Sequence, residues 1–157
     1  MHDPMVSVCI PTYNYAGFLP EAIDSVLKQV FTDYEILIID DCSHDNTKEV
    51  VSGYAIRDKR IRFLINPVNG GMVNNWNLCL AEARGEHIKF VFGGDLLSSP
   101  GALQKMVSLL DADRPQHFAC SVGKESYRYE FQDYESISTF QRQYHLAGRG
   151  SYQPMPV

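Results

Sequence analysis

Apolar positions along this chain change period several times, and the changes predict alternating strands and helices. Val6–Ile10 is a short β-favouring run and predicts a strand that stops at Pro11. Leu19, Ala22, Ile23, Val26, Leu27 and Val30 then recur at helical spacing, which places one apolar face on a helix. Glu35–Asp41 holds the unbroken apolar stretch Ile36-Leu37-Ile38-Ile39. A run without alternation suits a strand covered on both faces, as in a parallel sheet. Asn46 with Glu49 resembles a helix start that Val50, Val51 and Tyr54 continue. Ile61–Ile65 predicts a third strand, and Asn66-Pro67-Val68-Asn69-Gly70-Gly71 is a loop by composition.

Val73, Trp76, Leu80 and Ala83 form the next apolar stripe, with Gly85 as a left-handed stop. His87–Phe92 predicts a fourth strand. Ser99-Pro100 supplies a cap and a first-turn proline for a helix whose buried face is Leu103, Met106, Val107 and Leu110. Further on, 117–122 reads as another strand, and 125–134 is charged and aromatic. A helix fits 136–145, and the remainder is loop-like. The β-α-β-α-β-α-β-α order implies a parallel sheet with helices on both faces and right-handed crossovers. Ligands of such sheets bind beyond the carboxyl ends of the strands, so chemistry is sought after Ile10, Ile39, Ile65 and Phe92.

Composition narrows the class. A chain of 157 residues with 45% hydrophobic content is long enough for one real core. Its net charge of -5, without a basic stripe, excludes nucleic acid as a partner. No apolar run is long enough to span a bilayer, and the first residues lack the features of a signal peptide. Cys9, Cys42, Cys79 and Cys120 are scattered, which suits buried thiols rather than zinc or a disulfide framework. His2, His44, His87, His117 and His145 are isolated and read as surface or packing residues. The expected location is the cytoplasm, or the inner face of the membrane as a peripheral protein.

Three strand ends carry candidate chemistry. Pro11-Thr12-Tyr13-Asn14 offers a flat ring with a polar tip, fit to stack on a base; taken alone, a turn with a partly buried tyrosine accounts for it better. Asp40-Asp41-Cys42-Ser43 places two carboxylates side by side, able to accept an imide N–H or a ribose hydroxyl. Capping of the next helix by Asp41 or Ser43 explains the same residues. Phe92-Gly93-Gly94-Asp95 pairs glycines, which admit close approach, with one hard oxygen ligand for magnesium or manganese; alone it is also a plain turn. Gly17 stands alone, so a phosphate-binding glycine loop is excluded. A receiver-type domain is disfavoured because its aspartate pair should follow the first strand, whereas this pair follows the second.

Together these segments resemble glycosyltransferase family 2. The resemblance is carried by Val6-Ser7-Val8-Cys9-Ile10-Pro11-Thr12-Tyr13-Asn14 and by Ser25-Val26-Leu27-Lys28-Gln29. Tyr34–Ser43, Asp45-Asn46-Thr47, Asn69-Gly70-Gly71, Asn77 and Ala83–Ile88 extend it, all in family order. It implies an α/β fold, the Rossmann-like GT-A three-layer sandwich. A nucleotide-sugar-binding domain would occupy 1–115, and a partial acceptor-side region 116–157 would pack on it.

The resemblance also implies nucleotide contact at Pro11, Thr12, Tyr13, Asn14, Asp40, Asp41, Gly94 and Asp95. Pro11 and Tyr13 would line the base pocket, Asp41 would accept the ring N–H, Asp40 would shape its turn, and Asp95 would hold Mn2+ or Mg2+. The implied reaction is inverting transfer of a sugar from a nucleoside-diphosphate donor, UDP-type favoured, to a glycan, lipid-linked or other cell-envelope acceptor. A second copy of the chain is a further expected partner.

Two departures qualify this expectation. Gly94 stands where the family pattern has an aspartate, and no general base is identifiable among Glu130, Asp133 and Glu135. The short acceptor side leads us to expect a truncated chain. The competing expectation is a degenerate, non-catalytic domain that binds nucleotide-sugar.

Overall fold

The computed structural model describes residues 3–112. The strand expected at 117–122, the segment 125–134, the helix expected at 136–145 and the whole 116–157 region lie outside the described residues. The elements are β1 (Val6–Thr12), α1 (Leu19–Leu27), β2 (Tyr34–Asp40), α2 (Thr47–Arg57), β3 (Ile61–Ile65), α3 (Met72–Glu82), β4 (His87–Phe90) and α4 (Ala102–Ala112). The strands form one sheet in the order β3-β2-β1-β4, and every pairing is parallel. This is the open, Rossmann-like α/β sheet expected from the alternation of strand and helix.

Two cores sit on opposite faces of the sheet. Val6, Val8 and Ile10 of β1, with Ile36 and Ile38 of β2, face one way. They meet Leu19, Ala22, Ile23 and Val26 of α1, Val51 of α2, and Leu103 and Val107 of α4. The alternate positions Cys9, Leu37 and Ile39 face the other way and pack on Cys79 and Ala83 at α3. All seven residues of β1 and of β2 are buried, so the unbroken apolar run of β2 marks a strand covered on both sides.

Several local expectations are corrected. β1 does not stop at Pro11 but continues to Thr12, with Pro11 opposite Ile39. The Cys9 carbonyl bonds the N–H of Val91 and the Thr12 carbonyl bonds that of Asp41. Odd positions of β1 therefore turn towards β4 and even positions towards β2. β4 pairs no further than Cys9, so the donor that proline lacks falls where no acceptor strand remains.

α1 ends at Leu27 and leaves Val30 exposed, its N–H tied instead to Pro100. α2 starts without a side-chain bond from Asn46; the Asp45 carboxylate accepts from both the N–H and the hydroxyl of Thr47 instead. β4 is shorter than expected and ends at Phe90. α4 begins after Ser99-Pro100, at Ala102, where the Gln29 side-chain carbonyl accepts the Leu103 N–H. The Leu110 side chain is outside the described set.

The α3 stripe is rotated. Its buried helix residues are Asn75 and Cys79, while Val73 is 41% exposed and Trp76 packs against Phe92 at 4.9 Å between ring centroids. Gly85 is not a left-handed stop. A Cβ on it would lie 2.4 Å from the Ser7 nitrogen and 2.6 Å from the Val6 carbonyl carbon. The backbone crossing there leaves no room for a side chain.

A buried polar cluster ties the amino ends of the strands together. Glu35 accepts from the Ser7 hydroxyl at 2.6 Å, the Arg84 N–H at 2.8 Å and the Arg62 guanidinium at 3.0 Å. Burial pushes the Glu35 carboxyl up, but these bonds and the Arg62 charge outweigh it and hold the group below its ordinary value. Cys9 and Cys79 are buried free thiols, and none of the described cysteines is in a disulfide. The contact with Cys79, together with burial, raises the Cys9 thiol well above its usual range.

Candidate functional site at the carboxyl ends of the strands

The loops after β1 and β2 interlock. Thr12 lies opposite Asp40, and the Asp41 N–H donates to the Thr12 carbonyl at 2.9 Å. Beyond that pairing the Asn14 N–H donates to the Ser43 hydroxyl at 2.7 Å, and the Asn14 side-chain oxygen accepts the His44 N–H at 2.8 Å. Asn14 and Cys42 both stand in the left-handed region, at φ 54° and 63°. Buried Asp40 takes no part in helix capping. It accepts from the Ser43 hydroxyl and, at 3.2 Å, from the Ser43 N–H, closing its own turn. The Asp45 carboxylate accepts the Ala16 N–H at 3.0 Å. Desolvation raises the Asp45 carboxyl, yet the bonds from Thr47 and Ala16 bring it below its ordinary value.

Asp41 points to the opposite face of the sheet, towards α3. It is 2% exposed. One oxygen accepts from the Asn66 amide at 2.8 Å and the Gly70 N–H at 2.9 Å; the other accepts the Gly71 N–H at 2.8 Å. It thus organises the loop before α3, whose N-cap is Gly71, rather than capping the helix after β2. Three of the roughly four acceptor positions of a carboxylate are filled, which leaves one for a ligand donor. Asn75, beneath this loop, donates to the Ile39 carbonyl at 3.0 Å and the Thr12 carbonyl at 3.4 Å. It bridges the ends of β1 and β2 where the two strands part. Sequence reasoning missed Asn75; an amide on the core side of an otherwise apolar helix face was the available signal.

The third loop is a turn. The Asp95 N–H donates to the Phe92 carbonyl at 2.9 Å, and Gly94 stands at φ 89°. A turn of this pattern needs positive φ at its third residue, which favours glycine there. That is a local reason why residue 94 is not the expected aspartate. Asp95 is exposed. The segment after it is held to α1 by the polar residues of the Ser25–Gln29 run. The Ser25 hydroxyl accepts the Leu97 N–H at 3.1 Å, and the Gln29 amide donates to the Ser99 carbonyl at 2.9 Å. A cleft of about 300 Å³ lies there, between α1 and residues 96–100; Tyr13, Asp41 and Asp95 do not line it.

The structure therefore brings Pro11, Thr12, Tyr13 and Asn14 together with Asp40 and Asp41 at the ends of adjacent strands. Tyr13 is 40% exposed at the mouth. The Gly94–Asp95 turn follows β4 on the other side of β1. The buried Thr12 hydroxyl has no hydrogen-bond partner. Among the described residues no group of three or more His, Cys, Asp or Glu side chains could hold a metal ion. One exposed carboxylate fits an ion whose other ligands are diphosphate oxygens and water, not one caged by protein alone.

An open parallel sheet with helices on both faces defines an α/β, Rossmann-like class, and comparison with known proteins gives the family. The family described as Glycosyl transferase family 2 matches residues 7–153. This chain belongs to glycosyltransferase family 2. EpsJ of Bacillus subtilis, described as an uncharacterized glycosyltransferase, is 37% identical over 123 residues, 78% of this chain and 35% of EpsJ. Glycosyltransferase GlyG of Streptococcus pneumoniae is 32% identical over 111 residues, 69% of this chain and 37% of GlyG. The chain therefore spans little more than a third of the length of these two relatives.

Among solved structures, S. aureus TarS 1-349 in complex with UDP-GlcNAc is similar at a TM-score of 0.63 and 32% identity, over 68% of this chain and 31% of that one. The mannosyltransferase PcManGT of Pyrobaculum calidifontis shares the fold at a TM-score of 0.64 and 24% identity, over 70% of this chain and 33% of that one.

Proposed function

We propose that this chain forms the donor-binding half of an inverting glycosyltransferase. The donor is a nucleoside-diphosphate sugar of UDP type, and the acceptor is a glycan, lipid-linked or other cell-envelope saccharide. The observation that carries the reading is the interlocked loop pair, Pro11–Asn14 with Asp40–Ser43, at the carboxyl ends of adjacent parallel strands. The similarity to a TarS structure in complex with UDP-GlcNAc supports the choice of uridine.

In this reading the Tyr13 ring stacks on the base, and the remaining acceptor position of Asp41 takes the imide N–H. Pro11, Thr12 and Asn14 shape the pocket wall, and Asp40 fixes the turn that presents Asp41. Asp95 would hold Mn2+ or Mg2+, with Gly94 letting the backbone come close. The ion supplies charge neutralisation for the leaving group. The acceptor hydroxyl oxygen bonds to the anomeric carbon as the bond from that carbon to the diphosphate oxygen breaks. The hydroxyl proton passes to a carboxylate base.

No described helix is long and apolar enough to cross a membrane. We place the protein in the cytoplasm or peripherally at the inner membrane face, with a second copy as a candidate partner. A second reading, a non-catalytic nucleotide-sugar-binding domain, is favoured by one observation, the single carboxylate of the Asp95 turn.

Calorimetric titration of the full chain with UDP, GDP and dTDP, each with and without Mn2+, tests the reading. UDP is expected to bind and Mn2+ to tighten it. Absence of binding by every nucleotide at about millimolar concentration, that is, a binding free energy weaker than about -4 kcal/mol, would sink it. Sugar transfer or donor hydrolysis by the purified chain would eliminate the non-catalytic reading.

A further inference from the structure

Tyr15 has no role in the site described so far, yet it touches the turn that bears Asp95. A Cβ on Gly93 would lie 2.4, 2.8 and 2.9 Å from Cδ1, Cε1 and Cγ of the Tyr15 ring. The ring fills the place of a side chain at residue 93. At the next residue, Gly94, a Cβ would meet nothing within 4 Å, so the crowding belongs to position 93 alone. The backbone of Tyr15 is anchored. Its carbonyl accepts the N–H groups of Phe18 at 2.9 Å and Leu19 at 3.2 Å, which starts α1. The next residue, Ala16, is tied to Asp45. The Phe18 ring packs on the Tyr15 ring at 5.5 Å, tilted by 50°.

The turn is also held at its flanks. Val91 bonds Cys9 on one side and Leu97 bonds Ser25 on the other. Between them, Phe92 leans on Trp76 and stacks on Phe90 at 5.5 Å between ring centroids, and the Asp95 N–H bond to Phe92 is internal to the turn. Tyr15 is also two residues from Tyr13, on the same loop. One rigid ring thus spans the gap between the loop after β1 and the carboxylate turn after β4.

We infer that Tyr15 is a positioning residue for Asp95. Its ring sets where the carboxylate turn stands relative to the Pro11–Asn14 loop, so that one nucleoside diphosphate is gripped at its base and at its metal-bound diphosphate together. The inference rests on the donor-site reading above. It also accounts for Gly93, because any side chain there would drive the turn off the ring. Half-exposed and outside both cores, Tyr15 does this at little cost to folding when replaced.

The test is calorimetric titration of UDP, with and without Mn2+, into the full-length wild type, Tyr15→Ala, Tyr15→Phe, Gly93→Ala and the Tyr15→Ala/Gly93→Ala double variant. Tyr15→Ala is expected to keep metal-free UDP affinity within about twofold and to lose at least about fivefold of the Mn2+ enhancement, the usual scale of coupling between two contacts. Tyr15→Phe keeps the enhancement, since the ring and not the hydroxyl meets Gly93. Gly93→Ala loses it as Tyr15→Ala does, and adding Gly93→Ala to Tyr15→Ala costs nothing further.

Should Tyr15→Ala lose its fold by circular dichroism, Tyr15→Leu, which lacks the flat ring, carries the same expectation. A wild type that binds UDP and gains from Mn2+, with a Tyr15→Ala that gains equally, overturns the inference alone. A wild type that gains nothing from Mn2+ overturns the metal part of the donor-site reading instead.

Discussion

Removing the Asp41 carboxylate strands the Gly70 N–H and leaves the Gly71 N–H and the Asn66 amide only their second acceptors, the side-chain oxygens of Asn69 at 3.1 Å and Asn75 at 3.4 Å. Asp41→Ala is therefore expected to cost about 1–3 kcal/mol of stability, the scale of a polar group stranded when its charged partner is lost, measured by urea denaturation. UDP affinity should fall with it, because the loop before α3 loses its anchor. Asp41→Asn is expected to be milder, since its one oxygen still accepts while its NH2 meets donors on the other side. Unchanged stability in Asp41→Ala would remove the anchoring role.

The Asp40-Asp41 pair was legible as a strand-end site because two carboxylates rarely stand side by side without donors. Which oxygen served which donor was not legible, because Gly70 and Gly71 are far along the chain and meet Asp41 only once the sheet forms. Asn75 was missed for the same reason: its value lies in two carbonyls, Thr12 and Ile39, that it reaches through the fold.

Strands were easier to read than the turns and helix faces between them. An unbroken apolar run is enough to name β2 as buried on both sides. The apolar stripe expected on α3 holds at Ala83, which is buried, and fails at Val73, which is exposed. What the sheet accepts is set instead by close approach: Cys79 and Ala83 are small, and Trp76 is held at the margin by Phe92. Pro11 and Gly85 were assigned their ordinary punctuation roles, whereas pairing and backbone crossing decide both. Gly85→Ala tests the crossing. The obstructing atoms belong to the backbone of Val6 and Ser7, so relief requires moving β1. A loss of at least about 1–3 kcal/mol, the range for overpacking, is expected in thermal or urea unfolding; a neutral result would mean the crossing is loose.

The same end of the sheet carries a pH signature through Glu35. Its carboxyl is depressed in the folded state, so its contribution is complete above the unfolded carboxylate value of about 4.3 and fades as pH falls through the lower folded value. Stability of the wild type should drop over that acid window, and Glu35→Gln should flatten the drop while lowering stability at neutral pH.

At the scale of the whole molecule, the site and the fold are one network. The loops that would hold the donor are fixed to β1 and β2, the central strands, by Asp41 to Thr12 and Asn75 to Ile39, and to each other by Asn14 to Ser43 and Asp45 to Ala16. None of these ties involves a separate lid among the described residues. A donor bound there cannot remain bound if the central strands separate, so binding and unfolding are linked. The consequence is quantitative. A ligand that binds only the folded chain stabilises it by RT ln(1 + [L]/Kd), about 2.7 kcal/mol at a hundredfold excess over Kd.

UDP with Mn2+ is therefore expected to raise the unfolding temperature of the full chain in proportion to the logarithm of its concentration. UDP alone should raise it less. Asp95→Ala should keep the UDP-only shift and lose the increment due to Mn2+, because its exposed carboxylate lies at the turn and outside both cores. Tyr13→Ala should reduce the shift with and without the ion, since stacking on the base acts in both cases. Differential scanning calorimetry over a concentration series decides the matter. Equal Mn2+ increments in wild type and Asp95→Ala would move the metal contact elsewhere, and a flat unfolding temperature for every nucleotide would show that the interlocked loops serve the fold and no donor.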